Sequence, residues 1–190
     1  MHTTTNHQSS SIKNFIDKAD ASDSMVKDKH FSLLNSNRFL RDDKVKDHFC
    51  VYFAGLNLEK EKVLLGHHRK SGLWLFNGGH LDSNETISEC LFREVGEEWG
   101  VDISQNAIVP HFRLSITRID NPKQPFCSWH YDLWHFINLD TNMFQPNKKK
   151  VDTEFYEIRW VNITEALQLS NDLNTKETLD WLQNIVFSQA

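Results

Sequence analysis

The period of apolar positions changes several times along the chain, and each change marks an element. Ile12, Phe15 and Ile16 make a stripe at helical spacing, and Val26, His30, Phe31, Leu33 and Leu34 make a second. Ser22 or Asp23 stands where that second helix needs a cap. The first ten residues are almost wholly polar, so residues 1–46 are expected to be a disordered start and a helical extension, with the run 35–46 as linker. From residue 48 the pattern becomes that of strands. HFCVYFAGLNL (48–58) and VLLGHH (63–68) are rich in aromatic and β-branched residues and pair through the polar turn EKEK (59–62). A turn at 69–72 leads to LWLF (73–76) and then to Asn77-Gly78-Gly79, where two glycines permit positive φ and close approach of the backbone to a ligand.

Helical spacing returns after residue 84. Ile87, Leu91 and Val95 line one face, with Cys90 and Trp99 on its flank. Ser83 or Asn84 is the expected N-cap and Gly100 the stop. Gly96, mid-helix, costs roughly 1 kcal/mol relative to alanine and reads as a point of close packing against the sheet. Strands resume at 108–119 and 128–139, where apolar and polar residues alternate around the proline-bearing loop 120–126. Residues 140–152 read as a loop carrying Lys148-Lys149-Lys150, and 154–161 as another strand. Asn162-x-x-Glu165 is a capping box for a short helix, and Thr175 opens the last one. Residues 47–190 therefore read as one α+β domain, an α/β/α sandwich with a mixed sheet between helices.

The chemistry concentrates in the helix after residue 84. Glu94, Glu97 and Glu98 stand at i, i+3 and i+4 and project from one face within a single turn. Like charges at that spacing repel by a few tenths of a kcal/mol per pair, so the cluster implies a cation to hold. Hard carboxylate oxygens suit Mg²⁺ or Mn²⁺ better than zinc or copper. The rest of the composition excludes more than it adds. A net charge of −5 over 190 residues makes no case for nucleic-acid or membrane-surface binding, and no apolar run is long enough to span a bilayer. Cys50, Cys90 and Cys127 are odd in number and lack C-x-x-C spacing, which points to thiols and not to a disulfide scaffold. With no signal-like apolar region at the start, the expected location is the cytoplasm.

Gly79, five residues, Glu85, seven residues, then Arg93-Glu94-Val95-Gly96-Glu97-Glu98-Trp99-Gly100-Val101 resembles the Nudix box, G-x5-E-x7-R-E-U-x-E-E-x-G-U with U aliphatic. All nine specified positions match, and the seven that demand one residue type would agree by chance on the order of once in 10⁸ registers. The resemblance implies a sheet held between helices and a hydrolase acting on a nucleoside diphosphate linked to another group. It also implies Glu94, Glu97 and Glu98 as ligands of Mg²⁺ or Mn²⁺, with the Gly78 carbonyl as a further ligand and Arg93 and Glu85 as a supporting pair. Where the family commonly has proline before the two glycines, this chain has Asn77, whose tolerance of unusual φ should preserve the turn.

Other roles stay open on the sequence. Glu154 and Glu157 are candidates for a general base outside the box, with Glu97 or Glu98 as alternatives. Trp129 and Tyr131 are candidates for stacking on a base, although an aromatic in an alternating strand more often fills core. Arg69, in His67-His68-Arg69-Lys70, is placed to meet a phosphate or else to end a hairpin, and His80 is expected near the site as a hydrogen-bond donor. The expected partner is a small-molecule nucleoside diphosphate derivative, and a homodimer is left open. Two rivals share the fold: a ligand-binding or regulatory module without turnover, which would usually have lost box glutamates, and an isoprenoid-diphosphate isomerase, for which the cysteines lack the context.

Overall fold

The computed structural model describes residues 6–20, 24–119 and 127–189, apart from the side chains of Asp42 and Gln189. The expected cap at Ser22 or Asp23 and the loop 120–126 lie outside them. In chain order the elements are α1 (Asn6–Lys18), α2 (Ser24–Asn35), β1 (Asp47–Asn57), β2 (Lys62–His68), β3 (Trp74–Leu75), β4 (Asn77–His80) and α3 (Ile87–Glu98). Then follow β5 (Ile108–Arg118), β6 (Trp129–Asn138), α4 (Lys148–Glu154), β7 (Phe155–Asn162), α5 (Ile163–Leu169) and α6 (Leu173–Trp181). This is the expected α+β class with a mixed sheet. Among the described residues no helix is long and apolar enough to cross a membrane.

The chain divides into two compact units, and it passes between them within β1, β4, α3, β5 and β6. In the unit formed by residues 1–52, 78–91 and 111–135, β6 lies between β1 and β5, and β4 pairs with β1. The N-terminal helices pack on these strands through aromatic edges. Phe15 meets Phe112 at 5.0 Å and His135 at 4.9 Å, and the buried His30 ring meets Tyr131 at 5.2 Å. Asp20 donates its backbone N–H to the Phe112 carbonyl at 2.9 Å, fixing the end of α1 to β5.

In the other unit, β2 is the hub. It pairs antiparallel with β1 from Gly55↔Leu64 to Asn57↔Lys62, with β3 at Gly66↔Leu75, and with β7 from Lys62↔Asn162 to His68↔Phe155. Gly66 is needed for approach, because a Cβ there would lie 2.3 Å from the Phe155 ring. Trp99, fully buried, meets Phe53 edge-on at 4.9 Å and Phe144 at 5.3 Å, so the residue that follows the acidic turn is an anchor.

Several local expectations are corrected. α1 begins at Asn6, inside the stretch expected to be disordered, because Gln8 is buried and hydrogen-bonded. The lysine run opens a helix, not a loop: Asn147 caps α4 through Lys149 N–H, and Lys148 pairs with Asp152 one turn on at 2.6 Å. α6 starts at Leu173 with Asp172 as cap, two residues before Thr175. In β6 the expected alternation gives way to burial of every residue from Asp132 to Ile137. Both sets of its side chains find cover, His135 on Phe15 and Phe136 stacked on Trp181 at 5.0 Å. Gly96 has open space where a Cβ would stand, so packing does not require it.

Candidate functional site

The start of α3 is fixed twice. Thr86, not Ser83 or Asn84, is the cap: its hydroxyl accepts from Glu89 N–H at 3.2 Å, and the Glu89 carboxylate accepts from Thr86 N–H at 2.7 Å. This is a reciprocal T-x-x-E capping box, and those hydrogen bonds from Thr86 hold the Glu89 carboxyl below its usual range. The second fixing comes from α1. Gln8, 1% exposed, donates its amide to the carbonyls of Asp82 at 2.7 Å and Glu85 at 2.9 Å, and Ser11 Oγ accepts from Ile87 N–H at 3.2 Å. Thus the helical extension clamps the loop that leads into the acidic helix, a role no periodicity in the sequence announces. Glu85 also accepts from Asp82 N–H at 3.1 Å, which closes that loop on itself.

One turn further on, the three box glutamates receive different treatment. Glu94 is 7% exposed, and Arg93 Nη1 donates to its carboxylate at 2.6 Å. The same nitrogen reaches Glu97 at 3.5 Å, while the Glu97 side chain keeps 58% of its surface in solvent. Glu98 accepts a hydrogen bond from the Asn77 amide, and Asn77 is itself 1% exposed. A buried carboxylate stays ionised only when paired or hydrogen-bonded, and Arg93 meets that need for Glu94. The sequence suggests that Asn77 matters for backbone conformation. Its φ is ordinary, and its side chain, which orients Glu98, is what counts.

The glycines before the box work by a different means from the one expected. Neither Gly78 nor Gly79 has positive φ. A Cβ on Gly78 would lie 2.6 Å from the Val51 carbonyl oxygen and 2.9 Å from Tyr52 Cα, so β4 can lie against β1 only with glycine there. Gly100 does require the left-handed region, at φ +64°, and a Cβ would also stand 2.5 Å from Asn147.

The remaining candidates are placed as follows. Glu154 is held by Lys70 at 2.7 Å with His68 at 3.8 Å, and Glu157 by Arg159 at 2.7 Å, whose hydrogen bond draws the Glu157 carboxyl below its usual range. Arg69 is tied into β7, donating to the Phe155 carbonyl at 2.9 Å and lying 4.5 Å over the Tyr156 ring. Trp129 is 41% exposed. Tyr131 packs against His30 and Phe49. His80 sits among the rings of His48 and His130 at 5.4 and 4.8 Å, with Cys127 Sγ 3.5 Å from its Nε2.

A helix that presents three carboxylates within one turn, one paired with an arginine and one with a buried asparagine, offers hard oxygen donors suited to a divalent ion. The NUDIX domain model matches residues 47–182, and the chain belongs to that family. It is similar to the bis(5′-nucleosyl)-tetraphosphatase of Mus musculus, 28% identical over 106 residues, 56% of this chain and 67% of that one. It is also similar to the NAD-capped RNA hydrolase NudC of Vibrio atlanticus, 39% identical over 57 residues, 29% of this chain but only 20% of that protein. A third relative is the RNA pyrophosphohydrolase of Ruthia magnifica, 24% identical over 120 residues, 58% of this chain and 65% of that one. Among solved structures, the E. coli dihydroneopterin triphosphate pyrophosphohydrolase superposes with TM-score 0.60 at 15% identity, covering 77% of this chain and 99% of that one. The MutT protein of Methanosarcina mazei gives 0.55 at 18% identity, covering 72% and 92%. These structural likenesses establish the fold.

Proposed function

We propose that the chain is a Mg²⁺-dependent pyrophosphohydrolase that cleaves the diphosphate of a nucleoside diphosphate derivative into a nucleotide and a phosphorylated second group. The observation that carries this reading is the turn of α3 bearing Glu94, Glu97 and Glu98, the first paired with Arg93 and the last with Asn77. The donor set fits the ion: all hard oxygens, borne on one turn of one helix, with one carboxylate in solvent to meet an ion that keeps several waters. Bound there, Mg²⁺ would neutralise charge on phosphate oxygens and lower the pKa of an attacking water. The chain's own residues do the rest. Arg93 balances the charge of Glu94 and Glu97, while the Asn77 amide donates to Glu98. The motif alone assigns Glu85 a supporting role and the Gly78 carbonyl a ligand role.

For the general base, Glu97 is the better supported of the candidates. It is exposed to water with Arg93 at 3.5 Å, whereas Glu94 is buried, Glu98 is half-buried, and Glu154 and Glu157 are each held by a cation at 2.7 Å. The substrate class follows from the relatives, whose names share a nucleoside or related heterocycle on a chain of phosphates. The three cysteines are thiols outside any disulfide, the state kept in a reducing compartment such as the cytoplasm. The test is hydrolysis of dinucleoside polyphosphates, nucleoside diphosphate sugars and dinucleotides with Mg²⁺, read by chromatography of the products. Turnover of at least one by the wild type, abolished by Glu98→Gln, supports the proposal. Turnover of none, or full activity in the variant, overturns it.

A further inference from the structure

The donors grouped around His80 are of another kind from the box carboxylates. His48, His80 and Cys127 offer ligand atoms that all lie within 4.8 Å of one another, and so do Cys50, His80 and His130. All but His80 are buried, between 0 and 7% exposed. His80 Nε2 and Cys127 Sγ are 3.5 Å apart. A tetrahedral zinc with Zn–S of about 2.3 Å and Zn–N of about 2.05 Å would separate its nitrogen and sulfur ligands by about 3.6 Å. One edge of such a tetrahedron is therefore already in place. A second observation is independent of that edge. Among the described residues His130, 7% exposed, has hydrogen-bond partners for neither ring nitrogen, although its ring lies 4.8 Å from that of His80. A buried polar ring without partners carries a desolvation cost that a ligand would offset.

We propose that His48, His80 and Cys127 form a binding site for one soft divalent ion of the Zn²⁺ class, with His130 beside it. Thiolate and imidazole donors select such an ion over Mg²⁺, as the box carboxylates do the reverse. Imidazole holds such an ion in its neutral form, through the ring nitrogen that faces it. Cys127 is a thiol whose pKa burial raises and Arg41 opposes. Binding converts it to thiolate with release of one proton to solvent, since a coordinating thiol is deprotonated by the ion. The site would tie β1, β4 and the start of β6 together within one unit, as structural zinc sites do in other folds. It stands independently of the hydrolase proposal.

Co²⁺, a spectroscopic stand-in for Zn²⁺, tests this on the intact chain. Chelator-treated wild type should take up about one equivalent per chain with a sulfur-to-metal charge-transfer band and the intense visible absorption of tetrahedral cobalt. One equivalent of Zn²⁺ should bleach both. The band should vanish in Cys127→Ser, and should persist in Cys50→Ser and in Glu98→Gln, which separates this ion from one held by the box. Because the wild-type spectrum stands alone, misfolding of a variant does not spare the proposal. Absence of the charge-transfer band in wild type overturns the site, and loss of the band in Cys50→Ser with retention in Cys127→Ser overturns the ligand set.

Discussion

The acidic turn at residues 93–98 and the cluster around His80 are both concentrations of ligand atoms, and they differ in almost every other respect. The first is charged, hard and open to water at Glu97. Its carboxylates repel one another, and Arg93 and Asn77 steady them. The second is soft and largely buried, and its rings meet edge-on as core residues do. An electrostatically costly arrangement on one helix face shows itself in the sequence, because the spacing is local. The second cluster is drawn from β1, β4 and the segment before β6, and nothing in the spacing of residues 48, 50, 80, 127 and 130 announces it.

The largest expected effect breaks the acidic side of this contrast. Glu98→Gln removes one ligand charge while keeping shape, and should lower turnover with Mg²⁺ by roughly 10³-fold, the equivalent of several kcal/mol of lost charge stabilisation. Its thermal midpoint should match that of the wild type, because the Asn77 amide can still donate to the remaining carbonyl oxygen. Circular dichroism melting checks this.

Other buried rings in the unit that holds the second cluster respond to acid instead. Burial holds the pKa of His30 down to about 4, and that of His135 likewise to about 4. Each lies below the unfolded value of about 6.5, so the unfolded chain binds the extra protons. The stability this represents is fully present above pH 6.5 and is lost as pH falls from about 6.5 to about 4. Lowering a histidine pKa from about 6.5 to about 4 corresponds to on the order of 3 kcal/mol for each ring. Urea denaturation at a series of pH values should show the loss in that window, and His135→Phe should flatten it.

Smaller effects sharpen the picture of how the acidic turn is held. Asn77→Ala leaves Glu98 without its donor and should reduce turnover by about 10- to 100-fold with little change in substrate KM, the range seen for partners of metal ligands. Smallest of all, Gly96→Ala should raise stability by up to about 1 kcal/mol, since a methyl there meets open space and alanine is the better helix former. A loss of stability would show that this face of α3 is crowded after all.

Much of the molecule is legible in its sequence. The box residues, the strand pattern from 48 to 76 and the Gly100 stop follow from spacing and glycine placement, and α3 ends where Gly100 takes a left-handed φ. What escapes has a common cause, since each part depends on a distant partner. Gln8 reaches 74 residues along the chain to the Asp82 carbonyl. Asn77 serves Glu98, 21 residues on, through its side chain. Thr86 is the exception, for the T-x-x-E signal lies in plain sequence beside two polar residues that compete for the same role.

On the proposed reading, the carboxylates of α3 would hold the ion that makes this chain a hydrolase. The most direct measurement is recovery of activity by Mg²⁺ in chelator-treated protein, followed against metal concentration for the wild type and Glu98→Gln on a substrate the wild type turns over. The account predicts saturable recovery in the wild type and a curve in the variant that is shifted to higher Mg²⁺ and low at its plateau. Identical curves, or wild-type activity that survives removal of all divalent ions, would contradict it.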